Sequence, residues 1–189
     1  VTQFNQLRHD RLDTPMEPYP LKKVEIPSAD LGNRGLLFAG IGWYTRLEFP
    51  YLNNIMEQGE YVHIEKAGLK IYPEYGTYSD FNALPDSIFL YIADENNVVT
   101  DAVKDYLGKQ VQGGKLVKDD LFLGNTYYYF DVTQFMKEEL GASGKYKHNL
   151  QLVFNSDDYT KTLKNLTFSA PNGQNPIILQ LNYKIYESY

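Results

Sequence analysis

Four segments near the C-terminus decide the fold: residues 127–140, YYYFDVTQFMKEEL; 149–156, NLQLVFNS; 165–170, NLTFSA; and 176–186, PIILQLNYKIY. The first begins as an aromatic strand, Tyr127 to Val132. Phe130 and Val132 alternate with Tyr129 and Asp131, so the first pair faces a core and the second faces away. Asp131-Val132-Thr133 then turns the chain into a short helix over Gln134 to Leu140, with Thr133 as its cap and Gly141 as its stop. The remaining segments carry period-two patterns: Leu150, Leu152 and Phe154; Leu166 and Phe168; and Ile177, Leu179, Leu181, Tyr183 and Ile185, with Gln180, Asn182 and Lys184 opposite. The intervals between them leave no room for crossover helices, so the strands pair antiparallel.

The rest of the chain extends this pattern. Residues 1–20 hold Pro15, Pro18 and Pro20 and read as a linker or extended lead-in, and residues 21–189 as one β-sandwich domain. Strands are expected at Leu21 to Ser28, Leu36 to Gly40, Tyr44 to Phe49, His63 to Pro73, Ile88 to Ala93, Lys115 to Val117 and Leu121 to Leu123. Ile88 to Ala93 is apolar on both faces and should be central. Pro50 to Gly59 reads as a loop or short helical turn, Val98 to Gly108 as a short helix, and Gly113-Gly114 as a hairpin turn. With eight to ten strands and one or two short helices, the expected fold class is all-β: an antiparallel, jelly-roll-like sandwich.

Composition narrows the functional classes. Hydrophobic residues make up 43%, sufficient for a core. A formal net charge of −6 and the lack of any Lys/Arg cluster argue against nucleic acid as a partner. No apolar run reaches membrane-spanning length. There is no cysteine, which removes disulfides and thiolate metal sites. The chain starts at Val1, as expected of a piece of a longer protein.

Candidate chemistry is sparse. His9, His63 and His148 have no helical i, i+4 pairing, so a metal site of the zinc type is not expected. No cofactor is implied, although the oxygen-rich loops at Asp94 to Asn97, Lys118 to Asp120 and Asn155 to Asp158 leave a structural calcium ion as an option. Acids fall mainly in turns, Glu48 shares a strand face with Arg46 as an ion pair would, and no G-x-S-x-G elbow occurs, so no catalytic residue is assigned. Aromatics are the stronger signal: 17 Tyr and 10 Phe against a single Trp. Exposed rings stack on sugar C–H faces. The candidate ligand-binding residues are therefore Trp43, Tyr44, Tyr127 and Tyr129, the last two sharing an outward face.

Three stretches carry a resemblance: Tyr44-Thr45-Arg46-Leu47-Glu48-Phe49-Pro50-Tyr51-Leu52, Ile64 to Ile71 (IEKAGLKI), and Leu84 to Tyr91 (LPDSIFLY). Together they resemble domain-of-unknown-function family 4270, envelope lipoproteins of Bacteroides and related bacteria. Leu47-Glu48-Phe49, Ala67 to Ile71, Asp131-Val132-Thr133 and Pro176 to Tyr183 are also similar to DNRLRE-type, carbohydrate-binding-module-like jelly rolls. The resemblance covers about residues 21–187 and implies a cell-surface, outer-membrane or extracellular location. It also implies a lipid anchor upstream of this piece and an envelope protein or glycan as partner. It transfers no catalytic residue. The function expected is a non-catalytic binding or interaction module. A carbohydrate-binding module using exposed aromatics and, behind it, a glycoside-hydrolase-like sandwich enzyme are the alternatives.

Overall fold

The computed structural model describes residues 10–20, 25–59, 61–105, 107–108, 111–119, 125–143, 148–169 and 176–186. The described strands are β1 (Arg34–Phe38), β2 (Thr45–Leu47), β3 (Tyr61–Ile71), β4 (Ser87–Ala93), β5 (Val99–Ala102), β6 (Gly113–Val117), β7 (Tyr127–Asp131), β8 (Asn149–Val153), β9 (Asn165–Ser169) and β10 (Ile178–Tyr186). The helices are α1 (Thr133–Ser143), between β7 and β8, and α2 (Ser156–Lys161), between β8 and β9. The fold is all-β, antiparallel and sandwich-like.

Seven strands form the path β10-β3-β7-β6-β4-β8-β2, β5 joins β4 beside it, and β1 and β9 form a separate pair. Single bridges link the two sheets. Phe38 meets Trp43 at the β1–β2 turn, and Phe168 of β9 meets Pro73 just beyond β3. The route from β9 through β1, β2, β8, β4, β6, β7 and β3 therefore returns to β9, and the large sheet curls around a common interior.

Period-two alternation fills that interior, as the sequence predicts. Leu69 and Ile71, Tyr128 and Phe130, Ile88 and Leu90, and Leu150 and Leu152 point inward from four strands of the large sheet. Leu37, Leu166 and Phe168 point inward from the small one. β4 is paired on both sides, by β6 and β8, as its apolar sequence implies. Phe135, Met136 and Leu140 bury one stripe of α1, which packs on β3. Two glycines permit this packing. A β-carbon on Gly114 would lie 2.2 Å from the Phe130 ring, and one on Gly35 would lie 2.2 Å from the Phe168 ring.

Among the described residues, Tyr128 is the fully buried tyrosine, its hydroxyl donating to the Pro85 carbonyl at 2.7 Å. Burial pushes its phenol well above the ordinary tyrosine value, and Asp86 adds to the shift. A raised folded-state pKa means that stability is full below the unfolded value of about 10 and falls as pH climbs above it. In an alkaline ultraviolet titration, the Tyr128 phenol is expected to ionise only with unfolding, as a late step. Tyr128→Phe should remove that late step at a cost of about 1 kcal/mol.

Several expectations need correction. Glu25 to Pro27 is irregular and Ser28–Leu31 is a 3-10 turn, so the first strand expected at Leu21 to Ser28 is not formed there; residues 21–24 lie outside the described residues. Val98 to Gly108 holds strand β5 instead of a helix: the β-branched run Val98-Val99-Thr100 favours extension, and β6 pairs only Ser87 to Phe89 of β4, leaving Tyr91 to Ala93 to β5, reached with an irregularity at Ile92/Ala93. Gly113 and Gly114 are not a turn but the start of β6, where Gly114 makes way for Phe130. Asn155 to Asp158 is not an open loop. Asn155 caps α2, accepting the Asp158 N–H at 2.8 Å. The strand expected at Leu121 to Leu123 lies outside the described residues.

α1 also differs at both ends. Its first turn is capped by Asp131, whose Oδ1 accepts the Thr133 N–H at 3.0 Å. The Thr133 hydroxyl is used elsewhere, accepting the Ala67 N–H of β3 at 2.8 Å and donating to Asp131 Oδ1 at 2.5 Å. Gly141 does not stop the helix, which runs on to Ser143. It has no left-handed backbone there, and a glycine in a last turn costs only about 1 kcal/mol.

Candidate functional site

The outward face of β10, β3, β7 and β6 forms a concavity of about 700 Å3. Strand register explains its composition. Lys70 of β3 stands opposite Tyr129 of β7, and Tyr129 stands opposite Lys115 of β6, so the ring lies in a row between two lysines. In the next row, Gln180 of β10 opposes Gly68, and Gly68 opposes Asp131. Asn182 opposes Lys66 in the row after that. The irregularity between Asn182 and Tyr183 makes Glu65 an extra residue in β3 and increases the local twist.

Glycines shape the floor. A β-carbon on Gly68 would lie 3.0 Å from the Tyr129 ring, so the ring leans flat across β3 at the one position that admits it. Tyr127 is braced from two sides: Tyr72 packs on it at 5.5 Å between ring centroids, and Lys70 Nζ lies 5.1 Å from its ring centroid. Gln112 closes one end. Its side-chain amide accepts the Asp131 N–H at 2.5 Å and donates to the Asp131 carbonyl at 2.8 Å, in the manner of a neighbouring strand. The floor and two rings are therefore fixed before any ligand arrives.

Of the four residues proposed from sequence, Tyr127 and Tyr129 meet in this concavity, and Trp43 and Tyr44 do not. Trp43 sits at the β1–β2 turn, with the Arg11 guanidinium 5.1 Å over its ring. Arg11 is itself buried and bonds the carbonyls of Tyr19 and Pro20 at 3.1 and 2.9 Å. Trp43 thus serves as the seat for the stretch 10–20, which runs as successive turns and docks on the sandwich. Tyr44 is 42% exposed beside Tyr159, whose phenol is pushed up mainly by burial and secondarily by Tyr44.

The residues that sequence reading left out are Lys66, Lys70, Lys115, Gly68 and the amide side chains. Alternation alone puts Lys70 outward, and Gln180 and Asn182 opposite the apolar side of β10. What sequence does not supply is the register that brings three strands' residues side by side.

Several other charged groups are engaged with one another. Arg34 holds Glu74 through a bidentate contact, Lys104 meets Asp101, Lys161 meets Asp157, Lys164 meets Asp158, and Lys184 meets Glu65. The Arg46–Glu48 pair expected from their shared face is present, and Arg46 also reaches Glu25. This pair borders a second hollow of about 590 Å3, lined also by Asp94, Glu95, His148 and Asn149. There His148 Nδ1 lies 2.5 Å from Glu139 Oε1. The loop oxygens weighed for calcium have local uses: Asp94 Oδ1 accepts the N–H groups of Asn96 and Val98. Among the described residues, no group of three or more His, Cys, Asp or Glu side chains could hold a metal ion. No described helix is long and apolar enough to cross a membrane.

No family model, no curated protein and no solved structure matches the chain.

Proposed function

We propose that this chain is a non-catalytic binding module of a bacterial envelope lipoprotein, displayed at the cell surface, and that the concave face of its large sheet takes a glycan. The observation that carries the reading is the fixed Tyr127–Tyr129 pair over a glycine floor, ringed by side chains that can hydrogen-bond hydroxyls. Binding sites combine apolar and aromatic area with a few placed polar groups, and this face has both. The residues lining the concavity include no carboxylate, which favours binding over two-carboxylate hydrolysis there. A protein partner is the second reading, favoured by β10. This strand ends the sheet order and exposes Ile178, Ile185 and Tyr186 along it.

A glycan array followed by calorimetry on any hit tests the proposal. Tyr129→Ala is expected to weaken binding about tenfold or more, a loss of roughly 1.4 kcal/mol. Trp43→Ala should leave affinity unchanged while lowering the melting temperature. An array without hits, or equal affinity for wild type and Tyr129→Ala, would sink the glycan reading and turn attention to the β10 edge.

A further inference from the structure

The concave face departs from the charge of the molecule that carries it. The chain has a formal net charge of −6, yet the residues lining the concavity include Lys66, Lys70 and Lys115 and no carboxylate. Asp131, which follows Tyr129 on the same face, spends Oδ1 on the Thr133 N–H and hydroxyl. Glu65, beside Lys66, is held by Lys184. Among the described residues, none of the three lysines has a carboxylate partner, whereas Lys104, Lys161, Lys164 and Lys184 each have one.

The arrangement is also ordered. Lys70 and Lys115 flank Tyr129 in register, about 10 Å apart as next-but-one strands, and Lys66 stands four residues from Lys70 along β3, about 13 Å away. A neutral sugar stacked on Tyr129 would strip water from two ammonium groups with no charge in return. A sugar bearing a negative group on either side of the ring would compensate both. No single sugar spans all three lysines, so the complement is a chain.

We infer that the occupant of this face is an anionic oligosaccharide, carrying carboxylate or sulfate groups, with Lys70 and Lys115 gripping the unit on Tyr129 and Lys66 a neighbouring unit. This rests on the reading of the face as a glycan site and names the class of glycan. Counter-charge supplies the selectivity: exposed ion pairs are individually weak, but three converging on one chain add and weaken with salt.

The test is calorimetry with four probes: an oligogalacturonate, its fully methyl-esterified counterpart, a sulfated galacto-oligosaccharide, and single-stranded oligodeoxythymidylate. Proteins are the wild type and a Lys66→Gln/Lys70→Gln/Lys115→Gln variant, whose surface changes leave the core untouched. The expected result is binding of the carboxylated or the sulfated probe at least about tenfold tighter than of the ester. That advantage should disappear in the triple variant and shrink at high salt. Equal binding of the methyl ester would overturn the charge inference and leave the glycan reading standing. No binding of any sugar would overturn both. Tightest binding of the oligodeoxythymidylate would overturn the assignment of the occupant as a glycan.

Discussion

Phe130→Ala is expected to lower the unfolding free energy by about 3–5 kcal/mol, the usual cost of emptying an aromatic site in a packed core. Phe130 is fully buried on β7, and its ring occupies the space that Gly114 of β6 leaves open. The two positions act as one packing unit, because a β-carbon at 114 would stand 2.2 Å from the ring. Gly114→Ala alone should therefore cost about 1–3 kcal/mol by overpacking. Combining it with Phe130→Leu should cost less than the sum of the two single changes, since the smaller side chain makes room for the new methyl group. Urea unfolding of the four proteins measures this coupling. Strict additivity would show that the ring does not depend on the glycine. The same change should disturb the concave face, because β6 and β7 carry Lys115 and Tyr129 on its other side.

Gly114 also shows where sequence reading reached its limit. Paired glycines are the ordinary mark of a hairpin turn, and nothing local separates that use from a strand that must admit a ring from its neighbour. The distinction depends on Phe130, 16 positions away in the chain and adjacent only after pairing. The strands that were legible needed no such partner. β4 is apolar on both faces, and β7 and the later part of β3, Ala67 to Ile71, alternate, so the inward placement of Leu69, Ile71, Tyr128 and Phe130 follows from period two alone. β5 was misread as a helix because it is short and exposed, and its extension comes from the β4 edge more than from its own residues.

The candidate site divides the same way. Tyr127 and Tyr129 were legible because an outward aromatic pair on a strand is a local fact. Trp43 stood out as the chain's only Trp beside flexible glycines, but its ring is occupied by Arg11, a contact with a segment 32 positions earlier. The lysines were unremarkable one by one, as each alternates onto a wet face. They acquire meaning only in register, when Lys70, Tyr129 and Lys115 line up across three strands. Charge that looks dispersed along a β-sequence can converge on a sheet, and the absence of a Lys/Arg run is no guide to the absence of a cationic face.

Thr133→Val should be the most damaging of the nearly isosteric substitutions here. Thr133 is 3% exposed, and its hydroxyl joins the corner after β7 to the middle of β3 by accepting the Ala67 N–H at 2.8 Å while donating to Asp131 at 2.5 Å. Valine fills the same volume and orphans a backbone N–H on a residue with no solvent exposure. An unsatisfied buried donor costs about 1–3 kcal/mol, and a lost bond to a carboxylate adds to it, so about 2–4 kcal/mol is expected in urea unfolding. Thr133→Ser keeps the hydroxyl, loses one methyl group and should cost about 1 kcal/mol. The sequence reading placed this hydroxyl on the helix N-terminus, where an ordinary cap is worth about 1 kcal/mol and lies at the surface. The two roles part in amide hydrogen exchange: in Thr133→Val the Ala67 amide should exchange far faster than its β3 neighbours Leu69 and Ile71. If protection were lost instead from the first turn of α1, with Ala67 unaffected, the hydroxyl would be a helix cap after all, and the tie between Ala67 and the corner after β7 would rest on Val132, whose N–H reaches the Ala67 carbonyl at 3.0 Å.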